Sequence, residues 1–95
     1  MKKFYTKIEN IVFNDDNVII ECEKKNLKMR IIDGSVDIKI FTNDNDEVGY
    51  TILENNDNIC VFYESKENNY FIPKKIIIQT KYNLISESED SETII

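Results

Sequence analysis

Residues 18–40 read VIIECEKKNLKMRIIDGSVDIKI, and this stretch decides the fold. Val18, Ile20 and Cys22 alternate with Ile19, Glu21 and Glu23. Apolar and charged residues alternate again over Leu27–Ile31 and over Val36–Ile40. A period of two is typical of strands with one buried face. Asp33-Gly34 separates the last two runs and is a strong hairpin signal, because both residues accept the positive φ of a type I′ turn. The stretch therefore predicts three successive antiparallel strands.

Six short polar clusters divide the whole chain into apolar runs in the same way. Their centres lie roughly 8 to 12 residues apart, the spacing of a barrel or sandwich built from successive hairpins. The clusters are residues 14–17, 24–26, 33–35, 43–47, 55–58 and 65–69. We therefore predict an all-β fold, a small antiparallel barrel or sandwich of six to seven short strands.

The composition supports the β assignment. The chain has no alanine, the best helix former, whereas 27 of its 95 residues are the β-branched Ile, Val or Thr. With only 2 glycines present, we expect some of the 12 asparagines to occupy the positive-φ positions of the turns. The excess of Ile, Asn and Lys indicates an AT-rich genome, so a single Lys or Asn carries little functional weight.

The alternation also predicts individual strands and buried side chains. A first strand is expected over 4–13 with a bend at Asn10, and another over Val48–Glu54. Pro73 predicts a break in the last strand or an edge position. The expected core comprises Ile11, Val18, Ile20, Cys22, Leu27, Met29, Ile31, Val36, Ile38, Ile40, Ile52, Ile59, Val61 and Ile78.

The charge pattern separates a domain from a tail. Residues 1–83 contain all 12 basic residues and 14 acidic ones, whereas residues 84–95 hold four acids and no base. Ser86–Glu92 has no apolar residue to bury, so ordering it would cost backbone entropy without compensation. We therefore predict a small β-barrel domain over 1–83 and a flexible acidic tail over 84–95.

We expect no targeting signal from this sequence. The basic N-terminus lacks the apolar stretch of a signal peptide, and no apolar run is long enough to span a membrane. Cys22 and Cys60 fall inside predicted strands, so they are interpreted as reduced thiols rather than a disulfide framework. A cytoplasmic, intracellular location without membrane association is expected.

Catalysis and metal binding find little support in the sequence. The chain has no histidine, which removes every Ser-His, Cys-His and His-metal arrangement. Asp44–Gly49 begins like a calcium loop, but Val48 occupies a ligand position and Asn55 stands where a bidentate Glu is required. We expect no enzymatic activity, no metal site and no cofactor.

The leading hypothesis is a non-enzymatic protein-interaction module, compatible with a viral or phage source. Tyr63 and Tyr70 are the predicted exposed aromatics of a contact surface, since Tyr is enriched at interface hot spots. Ser91–Ile95 resembles a class I ligand of PDZ domains, with Thr93 and Ile95 in the recognition positions. Unpaired edge strands would also permit a homodimer.

The alternative hypothesis is a single-stranded nucleic-acid-binding barrel with a self-inhibitory acidic tail. Small barrels of the oligonucleotide-binding type stack bases on aromatic side chains beside a basic groove. However, Glu21, Glu23 and Asp37 share the predicted basic face, as on an ordinary soluble surface. The tail resembles the acidic tails of single-strand-binding proteins. The candidate basic residues are Lys24, Lys25, Lys28, Arg30 and Lys39.

Residues 47–78 resemble the second half of a Src-homology-3-type barrel. The order of a strand ending at Leu53, the strand Ile59–Glu64 and the segment Tyr70–Pro73 carries the resemblance. In that family the proline lines a ligand groove, a position that corresponds to Pro73. The chain departs from the pattern, because no Trp stands in the central strand and Ile76 replaces the groove tyrosine. The resemblance therefore implies barrel topology and argues against proline-rich peptide binding.

Overall fold

The computed structural model describes residues 1–79, which form an all-β domain. A short 3₁₀ helix, Tyr50–Ile52, interrupts the series of strands. The strands are β1 Lys2–Phe13, β2 Asn17–Cys22, β3 Asn26–Ile32, β4 Ser35–Val36, β5 Lys39–Thr42, β6 Glu47–Val48, β7 Asn58–Glu67 and β8 Tyr70–Ile78. The total of eight exceeds the predicted six to seven because β4 and β6 are ladders of two residues each.

One sheet contains all the strands and curls into a closed ring. The strand order is β4-β3-β2-β1-β7-β8-β5-β6, and an additional pairing of β3 with β8 joins five strands (β1, β2, β3, β8 and β7) in a circle. Most pairings are antiparallel, as predicted, but β3–β8 and β5–β8 are parallel. Alternation identifies strands but carries no information about the direction of a distant partner. The prediction of a wholly antiparallel sheet is therefore wrong at these two pairings.

Strand β1 is shared between the two sides of the ring. Its first half, Lys2–Lys7, pairs with β7, and its second half, Ile8–Phe13, pairs with β2. The register shifts between Ile8 and Asn10, which confirms the predicted bend. On the side of Ile8 away from β2, its N–H donates to Asp57 O at 2.9 Å. The bulge thus lets one long strand turn a corner without losing its backbone hydrogen bonds.

Strand β8 passes through Pro73, so the predicted break or edge position is wrong. Phe62 pairs with Lys75 and Tyr63 pairs with Pro73, which leaves Lys74 as an extra residue in a β-bulge. Proline is tolerated at bulges because a ladder hydrogen bond is already missing there. Its side chain is fully buried, so Pro73 does not line an exposed groove.

The turns use the residues that the sequence predicts. Asp33 and Gly34 both have positive φ, at 53° and 80°, in the two-residue turn between β3 and β4. The other positive-φ residues among those described are Asn45, Asn56 and Asn68. Asparagine tolerates this conformation better than most residues and replaces glycine in three turns. The expectation for asparagine is confirmed.

The predicted strand over Val48–Glu54 is wrong. Only Glu47–Val48 pairs as β6, and the chain then turns into the 3₁₀ helix. The N–H of Leu53 donates to Tyr50 O at 3.2 Å, which closes the turn. Leu53 is buried and its neighbour Ile52 is half-buried against the same core. A strand would point these two consecutive side chains to opposite faces, whereas a helical turn can bury both.

The core fills the inside of the ring. Five predicted core residues are half-buried at its margin: Ile11, Ile31, Val36, Ile38 and Ile52. The remaining predicted core residues are all buried. Ile8, Leu53, Phe71 and Ile76 are buried as well and were not predicted. Ile76 shares its side of β8 with Ile78, which was predicted, so alternation within this run of isoleucines could have identified it. The predicted tail over 84–95 lies outside the described residues.

Replacing Ile76 by alanine should destabilise the fold by about 2–5 kcal/mol, because Ile76 has no exposed surface and the truncation leaves a cavity. Ile32→Ala is the matched control, since that side chain is 46% exposed and should cost about 1 kcal/mol or less. Urea unfolding followed by circular dichroism measures both. Equal losses of unfolding free energy would contradict the assigned core.

Candidate functional site

The outward side of strands β1, β7, β8 and β5 carries lysines and aromatic rings together, and we call it the ring–lysine face. Inward neighbours on these strands, such as Val61, Ile76 and Ile40, are buried, so the alternate side chains point outward. Cross-strand partners define a first row across the sheet. In order from β1 to β5 it contains Lys3, Phe62, Lys75 and Lys39.

A second row runs beside the first and is largely apolar. In order from β1 to β5 it contains Tyr5, Cys60, Ile77 and Phe41. Tyr5 is half exposed, and Phe41 and Ile77 are half-buried. Cys60 is buried although it points outward, which shows how closely its larger neighbours cover it. The two rows therefore bring three rings and three ammonium groups onto one continuous surface.

Two of the three ammonium groups, those of Lys3 and Lys75, lie over the rings. Lys75 Nζ is 4.7 Å from the centroid of Phe62 and 5.8 Å from that of Phe41. Lys3 Nζ is 5.8 Å from the Tyr5 centroid and 5.9 Å from the Phe62 centroid. These distances fall within the range of cation–π attraction, which contributes about 0.5–1 kcal/mol at exposed sites. The attraction holds the flexible lysine side chains close to the aromatic surface.

A shallow cavity of about 480 Å³ lies at the centre of this face. Phe41 and Phe62 form its floor, Lys39, Lys74 and Lys75 form its rim, and Met1 lies at one side. No acidic residue lines it. Lys39 forms an ion pair with Glu47 at 3.5 Å, but both side chains are largely exposed and such pairs are weak. Lys3, Lys74 and Lys75 form no ion pair with any residue of 1–79.

This arrangement suits a ligand that has a flat ring and a negative charge. An aromatic floor offers a stacking surface. The ammonium groups at its rim can neutralise an anion, and only that of Lys39 has a carboxylate partner among residues 1–79.

The predicted basic residues are not all brought together. Lys39 belongs to the ring–lysine face because β5 pairs with β8 rather than with β3. Lys24 and Lys25 lie in the turn between β2 and β3, at one end of the ring of strands. Lys28 and Arg30 lie on β3. The single basic face expected from the sequence is thus divided among three places.

The surface around Lys28 and Arg30 has mixed charge. These residues line a groove of about 520 Å³ between β3 and β8, together with Asp16, Asp37 and Glu67. Lys28 Nζ forms an ion pair with Glu67 Oε1 at 3.0 Å. The neighbouring carboxylates offset the positive charge, so this groove is less suited to a polyanion than the ring–lysine face is.

The predicted exposed aromatics, Tyr63 and Tyr70, are both half-buried. The ring of Tyr63 packs edge-on against Phe71, with centroids 4.6 Å apart, and against Phe4 at 5.6 Å. The most exposed aromatic residue described is Phe13, at 59%. Thr93 and Ile95, the other predicted partner contacts, lie outside the described residues.

Sequence reasoning missed most of the ring–lysine face. The spacing Lys3-x-Tyr5 and Lys39-x-Phe41 places a lysine and a ring on the same side of two strands, and this local signal was available. Phe62 and Lys75 gave no comparable signal. They join the face through the pairing of β1, β7, β8 and β5, which connects distant parts of the chain.

The acidic loop after β5 is organised by a hydroxyl group. Thr42 Oγ1 accepts hydrogen bonds from the backbone N–H groups of Asp44 and Asp46, at 3.1 and 3.2 Å. Within residues 1–79 no group of three or more Asp, Glu, Cys or His side chains could hold a metal ion.

The same part of the chain contains no helix with the length and hydropathy of a membrane span.

The two cysteines are buried and unbridged. Burial raises the pKa of the Cys22 thiol from 9.0 to about 12, and the carboxylate of Glu9 adds to the rise. A thiol with a raised pKa is a poor nucleophile, because the thiolate is the reactive form. Cys22 therefore acts as a small apolar core residue.

Comparison with known proteins finds no matching family model, no similar curated protein and no similar solved structure. A function therefore has to be argued from the side chains of this chain alone. The features available are the ring–lysine face, the β3–β8 groove and the charged turns.

We predict that Cys22 resists a thiol reagent such as 5,5′-dithiobis(2-nitrobenzoate) until the chain unfolds. At about pH 8, the raised pKa lowers its thiolate fraction about 1,000-fold relative to an ordinary thiol. The unfolding free energy should hold below about pH 9 and fall as pH rises from 9.0 towards 12, since only the unfolded chain then releases the proton.

Matched variants isolate this effect. Cys60→Ser leaves Cys22 as the single thiol for labelling. In Cys22→Ser, the unfolding free energy should fall less as the pH rises above 9, because the thiol that causes part of this fall is absent. Rapid labelling of Cys22 in the native protein would contradict its assignment as a buried neutral thiol.

Proposed function

We propose that this protein is a non-enzymatic module that binds single-stranded nucleic acid on the ring–lysine face. The observation that carries the proposal is the placement of Lys75 and Lys3 within 6 Å of the ring centroids of Phe62, Phe41 and Tyr5. Proteins that bind single strands with little sequence preference combine aromatic stacking platforms with a positively charged path for the backbone. The face offers both elements side by side.

Each component has a separate role in binding. Bases stack on the rings, and each stacked base contributes about 1–3 kcal/mol. The lysine side chains swing from the rings to the phosphates, since a four-carbon stem allows this movement. Each phosphate contact releases a condensed counterion, so binding weakens as salt rises. Affinity is expected to depend little on base identity, because every base has a flat face.

The closed ring has five strands, the number found in the oligonucleotide-binding barrel to which the sequence analysis compared this chain. Barrels of that class bind ligands on the face of their second and third strands. In this chain the outward residues there include Ile19, Glu21 and Lys28 but no aromatic ring. The proposed surface therefore lies on a different side of the barrel from the one that the resemblance implies.

The charge balance indicates that the attraction is local. Residues 1–79 contain 11 basic and 14 acidic residues, so the domain as a whole is slightly negative. Long-range steering of a polyanion is then weak. The four lysines of the ring–lysine face, Lys3, Lys39, Lys74 and Lys75, supply the favourable field at short range. We expect modest affinity and an intracellular location, consistent with the free thiols.

A protein partner is the second candidate function. The exposed ring of Phe13 lies 6.3 Å from that of Tyr50, at the end of β1. Such a pair of rings is a contact surface of the kind enriched at protein interfaces. Self-association through sheet edges has weaker support, because the edge strands β4 and β6 offer two residues each.

Replacing both floor rings by leucine (Phe41→Leu with Phe62→Leu) should weaken binding of an oligothymidylate of about 12 nucleotides at least tenfold, because leucine keeps the apolar packing but removes the stacking surface. Phe13→Leu is the matched control, since it removes an exposed ring away from the face. Fluorescence anisotropy at low salt measures the affinity. Failure of the unmodified protein to bind DNA or RNA would contradict the proposed function and favour the protein partner.

The acidic tail is proposed to compete with nucleic acid for the same lysines. Its four acids should occupy the face at low salt, so neutralising them in the full chain should tighten binding. The effect should fade at higher salt, because screening weakens both interactions. The variant carries Glu87→Gln, Glu89→Gln, Asp90→Asn and Glu92→Gln.

A control with the same change of net charge separates competition from general repulsion. It carries Asp15→Asn, Glu21→Gln, Glu23→Gln and Asp44→Asn, all outside the tail and the face. Competition predicts a larger gain in affinity for the tail variant than for this control. Equal gains would show that only net charge matters and would contradict a self-inhibitory tail.

A further inference from the structure

A second basic cavity lies at the end of the ring of strands, and we call it the barrel-end cleft. Its volume is about 360 Å³. Three lysines (Lys24, Lys25 and Lys66), three asparagines and the edge of Phe71 line it, and no acidic residue does. Lys24 and Lys25 were among the basic residues predicted from the sequence to bind nucleic acid. Lys66, which comes from a distant part of the chain, was not.

The strand pairing explains why these residues meet. Strands β3 and β8 run parallel and pair where both begin, with Asn26 opposite Tyr70 and Leu27 opposite Phe71. The turns that precede two parallel strands reach the same edge of a sheet. Here the β2–β3 turn supplies Lys24 and Lys25, and the first residue of β3 supplies Asn26. The β7–β8 hairpin supplies Lys66, Asn68 and Asn69. The parallel pairing thus brings two separate basic segments together.

Hydrogen bonds fix the β2–β3 turn in this position. The N–H of Lys24 donates to Thr6 Oγ1 at 3.3 Å, and the N–H of Cys22 donates to Asn26 Oδ1 at 3.2 Å. Both acceptors are side chains that belong to strands. The turn that carries the lysines is therefore anchored to the barrel.

The cleft concentrates positive charge without a compensating carboxylate. Lys25 Nζ and Lys66 Nζ lie 5.1 and 5.2 Å from the same centroid, that of Phe71, so the two ammonium groups are at most about 10 Å apart. None of the three lysines forms an ion pair with the rest of residues 1–79. The nearby carboxylate of Glu67 is engaged by Lys28.

The cleft differs from the ring–lysine face in what it can bind. Phe71 is only 9% exposed and lies beneath two lysines, so it offers little surface for a stacked base. Ammonium and amide groups are hydrogen-bond donors, and together they match the oxygens of a phosphate group. The chemistry of the cleft is therefore that of an anion site rather than a base pocket.

The two sites share strands β7 and β8 but lie on different sides of the sheet, because Phe71 faces the interior whereas Lys75 faces outward. Tyr63 contacts Phe71 in the barrel end, whereas the preceding residue, Phe62, belongs to the ring–lysine face. Along β8, Phe71 and Lys75 are four residues apart, about 13 Å in a strand. One extended single strand can therefore reach both sites.

We propose that the barrel-end cleft binds backbone phosphates of the same single strand whose bases stack on the ring–lysine face. This inference rests on the proposed function, and it adds a phosphate-binding site and a minimum ligand length. A strand of about 4 nucleotides fills the face alone, whereas one of about 12 reaches the cleft as well. Binding energy from the cleft then appears only with the longer strand.

The test compares the full-length variant Lys66→Gln against a control of equal charge change, Arg30→Gln. Anisotropy with both lengths of oligothymidylate is measured between about 50 mM and 200 mM salt. For the longer strand, the slope of log affinity against log salt should fall in magnitude by about 0.7 in the cleft variant, the change expected for one lost phosphate contact.

The control should keep the parent slope, and the shorter strand should bind the cleft variant as it binds the parent protein. If the cleft variant, the control and the parent protein have equal salt slopes, the cleft does not bind phosphate, and the proposed function of the ring–lysine face is unaffected. Absence of binding by the parent protein would overturn both. Unfolding curves of both variants should lie close to that of the parent protein, because the side chains of Lys66 and Arg30 are exposed.

Discussion

The backbone of strand β8 must find hydrogen-bond partners on both of its sides, and the rest of the structure depends on this requirement. On one side it pairs with β7 along almost its whole length. On the other it pairs first with β3 and then with β5, both parallel. Buried N–H and C=O groups without partners are costly, so this sharing fixes the strand order. It also closes the ring and brings Phe41 of β5 beside Lys75 and Phe62.

The bulge at Lys74 makes the sharing possible. It lies where β8 changes partner from β3 to β5, next to Pro73, which has no N–H to satisfy. The extra residue shifts the alternation by one position, so Phe71 and Pro73 face the core before it and Ile76 faces the core after it. Lys74 and Lys75 then both point outward and reach the same cavity. One irregularity thus serves the core and the candidate site together.

Local chemistry made part of this molecule predictable. The strands around Asp33-Gly34 and the positive-φ asparagines follow from residue preferences that act over a few positions. The course of β8 through Pro73 could not be predicted, because a proline is allowed there only by a bulge that depends on β7. The ring–lysine face was even harder to predict from the sequence. It is built from β1, β5 and the β7–β8 hairpin, three segments far apart in sequence, so the lysine and ring spacing within one strand could not indicate which other segment lies beside it.

The proposed binding surface is made by non-local strand pairing, and the most direct test of its function is to locate the ligand on the protein. The measurement is a titration of ¹⁵N-labelled full-length protein with an oligothymidylate, followed by amide chemical shifts. Binding at the proposed surface should change the shifts most at Tyr5, Phe41, Phe62 and Lys75, with smaller changes that extend to the turns of the barrel end. Changes confined to the outward residues of β2 and β3, or no changes at all, would contradict the proposed function.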